Sequence, residues 1–115
     1  MTLDVAKSIE IIPVLEKYLE KVRPPLEIRP KLDLGYEIKG QSVLLHEIRP
    51  LWNNPEKIMT YDYAKATFVK SQNIWKIYWL RGNLKWHLYS PKPTVKTLTE
   101  FLNLVEKDKH HCFKG

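Results

Sequence analysis

The sequence predicts an α+β domain: an antiparallel five-stranded meander flanked by an N-terminal kinked helix and a C-terminal helix. Three observations carry this. Apolar residues recur at helical spacing near each end of the chain, and between those ends they alternate with polar ones. The joints between the alternating segments are short and hold Gly, Asn and Pro. Joints that short suit antiparallel neighbours, because parallel strands need a long crossover. The 115 residues make one domain, 1–115.

The elements follow in order. Val5, Ile9, Ile12, Leu15, Tyr18, Leu19 and Val22 predict an amphipathic helix over about residues 4–22. Pro13 removes one backbone hydrogen bond and is expected to kink or restart it, and Pro24-Pro25 ends it. Leu32, Leu34, Tyr36 and Ile38 alternate with Asp33, Gly35 and Glu37, which gives a strand over about 31–39. A tight turn at Gly40-Gln41 joins it to a second strand over 42–49. Residues 49–56 hold two prolines and two asparagines and predict a loop, with Trp52 folding back over the sheet. Further strands are expected over 61–70, 74–81 and 84–89, with turns at Gln72-Asn73 and Gly82-Asn83. Ser90 to Pro93 breaks the last strand. A helix over 94–107 carries Val95, Leu98, Phe101, Leu102 and Val105 as its apolar stripe, and either Thr94 or the capping box Thr97-Leu-Thr-Glu100 can start it.

The turn at Gly82-Asn83, taken as two residues, places Trp79 opposite Trp86, Ile77 opposite Leu88, Tyr78 opposite His87 and Lys76 opposite Tyr89. Trp75, Ile77, Trp79, Trp86 and Leu88 then share a core face with Ala66 and Phe68. Lys76, Tyr78, Lys85, His87 and Tyr89 share the other face with Lys65, Thr67 and Val69.

The net charge of +6 is concentrated there. From position 63 to 99 the chain holds seven bases and no acid; the remaining twelve bases and thirteen acids sum to −1. A segregated basic patch favours anionic partners. Lysines between flat rings can hold phosphates while the rings stack on bases, although the same residues also suit an ordinary solvated sheet face. The nucleic-acid or polyanion reading assigns Lys65, Lys76 and Lys85 to phosphates, with Arg81 close by, and Tyr78, His87 and Tyr89 to stacking or hydrogen bonding.

Other chemistries find less in the sequence. No glycine-rich phosphate loop and no Gly-x-Ser-x-Gly elbow occurs. His110-His111-Cys112 lacks the converging third and fourth ligands of a zinc site, and no cofactor is expected. Asp33, Glu37, Glu47 and Lys65 could suggest a magnesium nuclease, but the hairpin pairing puts Asp33 and Glu37 on one face and Glu47 on the other. Glu47 falls beside Leu34 and Tyr36 and calls for a partner such as Arg49 or Arg81. A nuclease or phosphoester hydrolase using His87 as acid–base group stays as an alternative, and so does a protein-interaction module anchored by Trp52. A homodimer through an exposed edge strand is a further partner the sequence leaves open. The single cysteine excludes an internal disulfide framework and suits a cytoplasmic setting; no apolar run is long enough to span a membrane.

Several phrases occur together: Arg23-Pro-Pro25, Leu34-Gly-Tyr36, Glu47-Ile-Arg-Pro50 with Trp52 and Pro55, Ala64-Lys65, Trp75-Lys-Ile-Tyr-Trp79 with Arg81, Leu84-Lys-Trp-His87 with Tyr89 and Pro91, and Asp108 with Cys112-Phe113 and Gly115. Their order and spacing over residues 14–115 resemble the small bacterial proteins of the domain of unknown function three thousand and twenty-four. The resemblance implies a one-domain bacterial cytoplasmic protein and brings no activity, substrate or cofactor with it.

Overall fold

A computed structural model describes residues 3–109 and 112–113. Helix α1 spans Val5–Val22, capped by the Asp4 carboxylate, which accepts from Lys7 N at 2.8 Å. It buries Ile11, Leu15 and Tyr18. Pro13 lies exposed inside one continuous helix, so the expected restart does not occur. The stripe predicted from the first turns is also displaced: Ile11 is buried, while Val5, Ile9 and Ile12 face outward with 74%, 67% and 40% of their surface exposed. The Arg23 guanidinium pairs with both Asp33 oxygens, Nε to Oδ1 at 2.9 Å and Nη2 to Oδ2 at 2.6 Å. This fork fixes the end of α1 against the start of the sheet.

Strands β1 (Asp33–Lys39), β2 (Ser42–Leu51), β3 (Asn54–Val69), β4 (Ile74–Leu80) and β5 (Trp86–Leu88) form the antiparallel meander in sequence order, and a short β6 (Thr94–Val95) also pairs with β4. Helix α2 (Leu98–Lys107) closes the domain, with Thr97 as its cap. Thr94, the other candidate cap, belongs to β6 instead. Val43, Leu45, Ala64, Ala66, Trp75 and Ile77 line one face of the sheet and pack under Leu15, Phe101 and Val105. Both helices therefore cover the same face, and the opposite face carries none.

The first turn holds as expected. Gly40, at φ 61°, makes a two-residue turn, Lys39 pairs with Ser42, and Leu34 lies opposite Glu47. The second turn takes four residues, 70–73, rather than Gln72-Asn73 alone; its length is still even, so Ala66 and Phe68 keep the expected face and Lys65 and Thr67 the other, with Lys65 opposite Tyr78 and Ala66 opposite Ile77.

Two segments depart from expectation. Residues 49–56 are not a loop: Leu51 pairs with Asn54, so β2 and β3 run on as a two-stranded ribbon past the rest of the sheet. Each ribbon strand has a free edge, which is where prolines such as Pro50 and Pro55 are tolerated. Trp52 sits at the tip, 89% exposed, and does not fold back. Between Leu45/Ala64 and His46/Asp62 the pairing slips, which leaves Tyr63 as an extra, buried residue on β3.

The second departure is the last hairpin. Its loop has three residues, Gly82, Asn83 and Leu84, not two. Leu84 N donates to Arg81 O at 2.8 Å, Arg81 N donates to Lys85 O at 3.1 Å, and Leu84 takes a left-handed φ of 61°. The extra residue shifts the pairing by one: Tyr78 faces Leu88, Trp79 faces His87 and Leu80 faces Trp86. A one-residue shift reverses which face every side chain of β5 occupies. Trp86 and Leu88 move to the helix-free face, and His87 and Tyr89 move to the covered one.

Candidate functional site on the helix-free sheet face

Lys65 stands at the centre of the helix-free face, on β3 between Leu44 of β2 and Tyr78 of β4. Its ammonium lies 4.9 Å from the Tyr78 ring centroid and 4.9 Å from that of Trp86. Both distances are within cation–π range. Burial pushes the Lys65 pKa below the usual lysine value, and no carboxylate pairs with it among the described residues. Lys76, exposed, occupies the same face one pair further along β4. Toward the ribbon, His46 Nδ1 stands 3.8 Å from Asp62 Oδ1. The His46 ring lies over Gly35, where a β-carbon would come within 2.7 Å of Nε2, so β1 is open at that point because the residue is glycine.

Of the seven residues proposed from sequence, the structure brings Lys65, Lys76 and Tyr78 together on this face. Arg81 does not join them; its guanidinium carbon lies 5.4 Å from the Trp79 ring centroid, against a residue of the covered side. Lys85 is exposed at the end of the last hairpin. His87 and Tyr89 are corrections: both belong to the covered face, because the three-residue loop moved them there. Tyr89 is 2% exposed and packs 4.8 Å from the Phe113 ring. His87 Nε2 is buried without a hydrogen-bond partner among the described residues. Trp86, which replaces them as the second ring beside Lys65, was assigned to the core by the two-residue turn; Leu84 in a left-handed conformation left no sequence signal, since glycine or asparagine usually marks that position.

The enzymatic readings find no constellation. A hydrolase built on His87 requires that ring in an open site beside a carboxylate or a metal, and its Nε2 is buried with no partner among the described residues. Among the described residues no group of three or more His, Cys, Asp or Glu converges. Asp33 and Glu37 do lie on the face opposite Glu47, as the hairpin pairing required. Glu47 is half-buried rather than enclosed, and neither candidate arginine forms an ion pair with it among the described residues: Arg49 lies 4.6 Å from the ring centroid of Tyr61, the residue opposite Glu47, and Arg81 lies over Trp79. Burial and Asp108 raise the Cys112 thiol pKa against the smaller opposing effect of Arg81, which is the wrong direction for a nucleophile. His110 and His111 lie outside the described residues. No helix among the described residues is long and apolar enough to cross a membrane.

No curated protein and no solved structure matches the chain. One family profile does, over residues 4–115, and that span includes the ribbon, Lys65 with its two rings, and both helices. The chain belongs to that family, the domain of unknown function DUF3024.

Proposed function

We propose that this protein is a non-enzymatic binding module whose helix-free sheet face takes nucleic acid or a comparable polyanion in a cytoplasmic setting. The observation that carries the reading is Lys65, an ammonium with no carboxylate partner among the described residues, held between Tyr78 and Trp86 on an open β-surface. Lys65 and Lys76 contact phosphates; Tyr78 and Trp86 offer flat faces for base stacking, each worth about 1–3 kcal/mol per base. The acid-free stretch from 63 to 99, with its seven bases, favours anions near the protein as a whole, and it supplies both lysines of this face.

The test is a fluorescence titration with a single-stranded oligonucleotide, read from tryptophan quenching. Binding is expected at low salt and is expected to weaken steeply as salt rises, because phosphate contacts release counterions. Lys65→Glu should weaken binding at least tenfold, and Trp86→Leu should weaken it while removing most of the quenching. Affinity that ignores salt, or no binding at low salt, sinks the proposal.

A second reading rests on Trp52, whose indole is 89% exposed at the ribbon tip. Exposed aromatic residues of this kind serve as anchors in protein interfaces. Under it, Trp52→Ala abolishes partner capture and leaves oligonucleotide binding unchanged.

A further inference from the structure

The outer edge of β1 and the outward stripe of α1 form one continuous surface. Among the described residues β1 is the terminal strand of the sheet and pairs only with β2. Lys39 and Ser42 flank the two-residue turn, and in such hairpins the flanking residues are a hydrogen-bonded pair. The alternation then turns the N–H and C=O groups of Leu34, Tyr36 and Ile38 away from β2. Leu34 N is taken by its neighbour's carboxylate, Asp33 Oδ1, at 2.8 Å. The outward groups of Tyr36 and Ile38 have no protein partner among the described residues.

Helix α1 lies above this edge. Its Val14, Tyr18 and Lys21 face α2, lining a cleft with Thr99 and Leu102. On the opposite flank, Tyr36 donates its hydroxyl proton to Glu16 Oε1 at 2.8 Å. Helical spacing puts Val5, Ile9 and Ile12 on the same line as Glu16, so the exposed aliphatic stripe overhangs β1. The helix starts at the turn end of β1, where Leu3 N donates to Gly40 O at 3.0 Å, and so runs antiparallel to the strand. Ile12 precedes Glu16 by four residues, about 6 Å of helix. Ile38 follows Tyr36 by two residues, about 7 Å of strand. Ile12 therefore stands above Ile38.

We propose that a second copy of this chain occupies this edge, joined about a two-fold axis through Ile38 so that β1 pairs antiparallel with its counterpart and the Ile9–Ile12 stripes pack together. Charge selects that axis. Centred on Ile38, Glu37 faces the partner's Lys39 and Lys39 faces the partner's Glu37; both side chains are exposed. Centred on Glu37, like charges would oppose each other. Centred on Tyr36, Lys39 would face the partner's Asp33, which Arg23 already holds. The Ile38 centre also brings the unbonded N–H and C=O of Ile38 opposite their own copies, the arrangement of a hydrogen-bonded pair. The resulting contact is isologous and closes at two chains. It leaves the face bearing Lys65 uncovered and stands independently of the binding reading.

Sedimentation velocity over low to high micromolar concentration at low to moderate salt, on protein first freed of nucleic acid by a high-salt wash, tests it. The expected species has twice the 13.7 kDa mass of one chain. Ile12→Lys should yield a monomer with unchanged circular dichroism and melting, since that side chain is already partly exposed. Glu37→Lys and Lys39→Glu, each alone, should weaken the dimer about tenfold. Mixed in equal amounts they should form a heterodimer, because every facing pair is then of opposite sign. A monomer at every concentration overturns the proposal, and so does a dimer that the charge variants leave unchanged.

Discussion

Tyr18 donates its hydroxyl proton to Glu106 Oε1 across 3.2 Å, tying α1 to α2. From the sheet below, Tyr63 hydrogen-bonds Tyr18, so the bulge in β3 delivers one phenol to another inside the helix layer. Burial pushes both phenols well above the usual tyrosine range, and the Glu106 charge adds to the effect on each. Glu47 also raises Tyr63.

That chain of groups makes the fold sensitive to alkali. Both phenols keep their protons in the folded state at a pH where the unfolded chain loses them. Their contribution to stability is complete below the unfolded pKa of about 10 and is lost as pH rises beyond it. In an absorbance titration of the six tyrosines, Tyr18 and Tyr63 should ionise only as the protein unfolds, and Tyr36 and Tyr89, which burial also raises, should ionise later than the remaining two. Tyr18→Phe should cost about 1 kcal/mol and remove one of the two ionisations that await unfolding. Six ordinary titrations in a folded chain would contradict this.

Asp33 gives the corresponding acid sensitivity. The Arg23 fork, with help from its own hydrogen bond to Leu34 N, holds its carboxyl below the usual carboxylate value against the opposing effect of burial. A depressed folded pKa contributes stability above the unfolded value, near pH 4, and that stability drains away as pH falls through the folded one. The melting temperature should drop below about pH 4, and Asp33→Asn should flatten that limb while lowering the plateau above it. An unchanged acid limb in Asp33→Asn would show that other groups set it.

Leu84 holds a left-handed φ of 61° with 78% of its surface exposed, so it bears backbone strain and contributes little packing. Leu84→Gly should stabilise the protein by about 1 kcal/mol, measured by denaturant midpoint, because glycine accepts this conformation without a β-carbon clash. Loss of stability would mean that the Leu84 side chain contributes more than its left-handed backbone costs.

His87 carries a buried ring nitrogen, Nε2, with no hydrogen-bond partner among the described residues. Replacing the ring by an apolar side chain removes the desolvation cost of that atom, about 1–3 kcal/mol, and gives back part of it in lost packing. His87→Leu should therefore melt at or above the wild-type temperature and keep full oligonucleotide binding. A fall in binding affinity would restore the residue to the site.

The order of the main elements, both helices, the Gly40-Gln41 hairpin and the faces of β3 and β4 were legible because each rests on local periodicity or on the parity of a turn. Lys65, Lys76 and Tyr78 were legible for the same reason: they lie on strands joined by the even-length turn at 70–73. Beyond Leu80 that legibility stops. Gly-Asn reads as a two-residue turn, yet the loop takes in Leu84, and one added residue exchanged Trp86 for His87 beside the lysine.

By itself the sequence determined the two helices and most of the strand segments, where the positive charge accumulates, and that tryptophans and lysines would alternate, because these follow from side-chain spacing along a single stretch of backbone. Only the tertiary structure decided which ring stands next to Lys65, that Tyr63 leaves the sheet pairing to meet Tyr18, and that Val5, Ile9 and Ile12 overhang a free strand edge. Each of those depends on where distant segments come to rest against one another, and a single residue in a loop or bulge is enough to turn a strand over while leaving its periodicity unchanged.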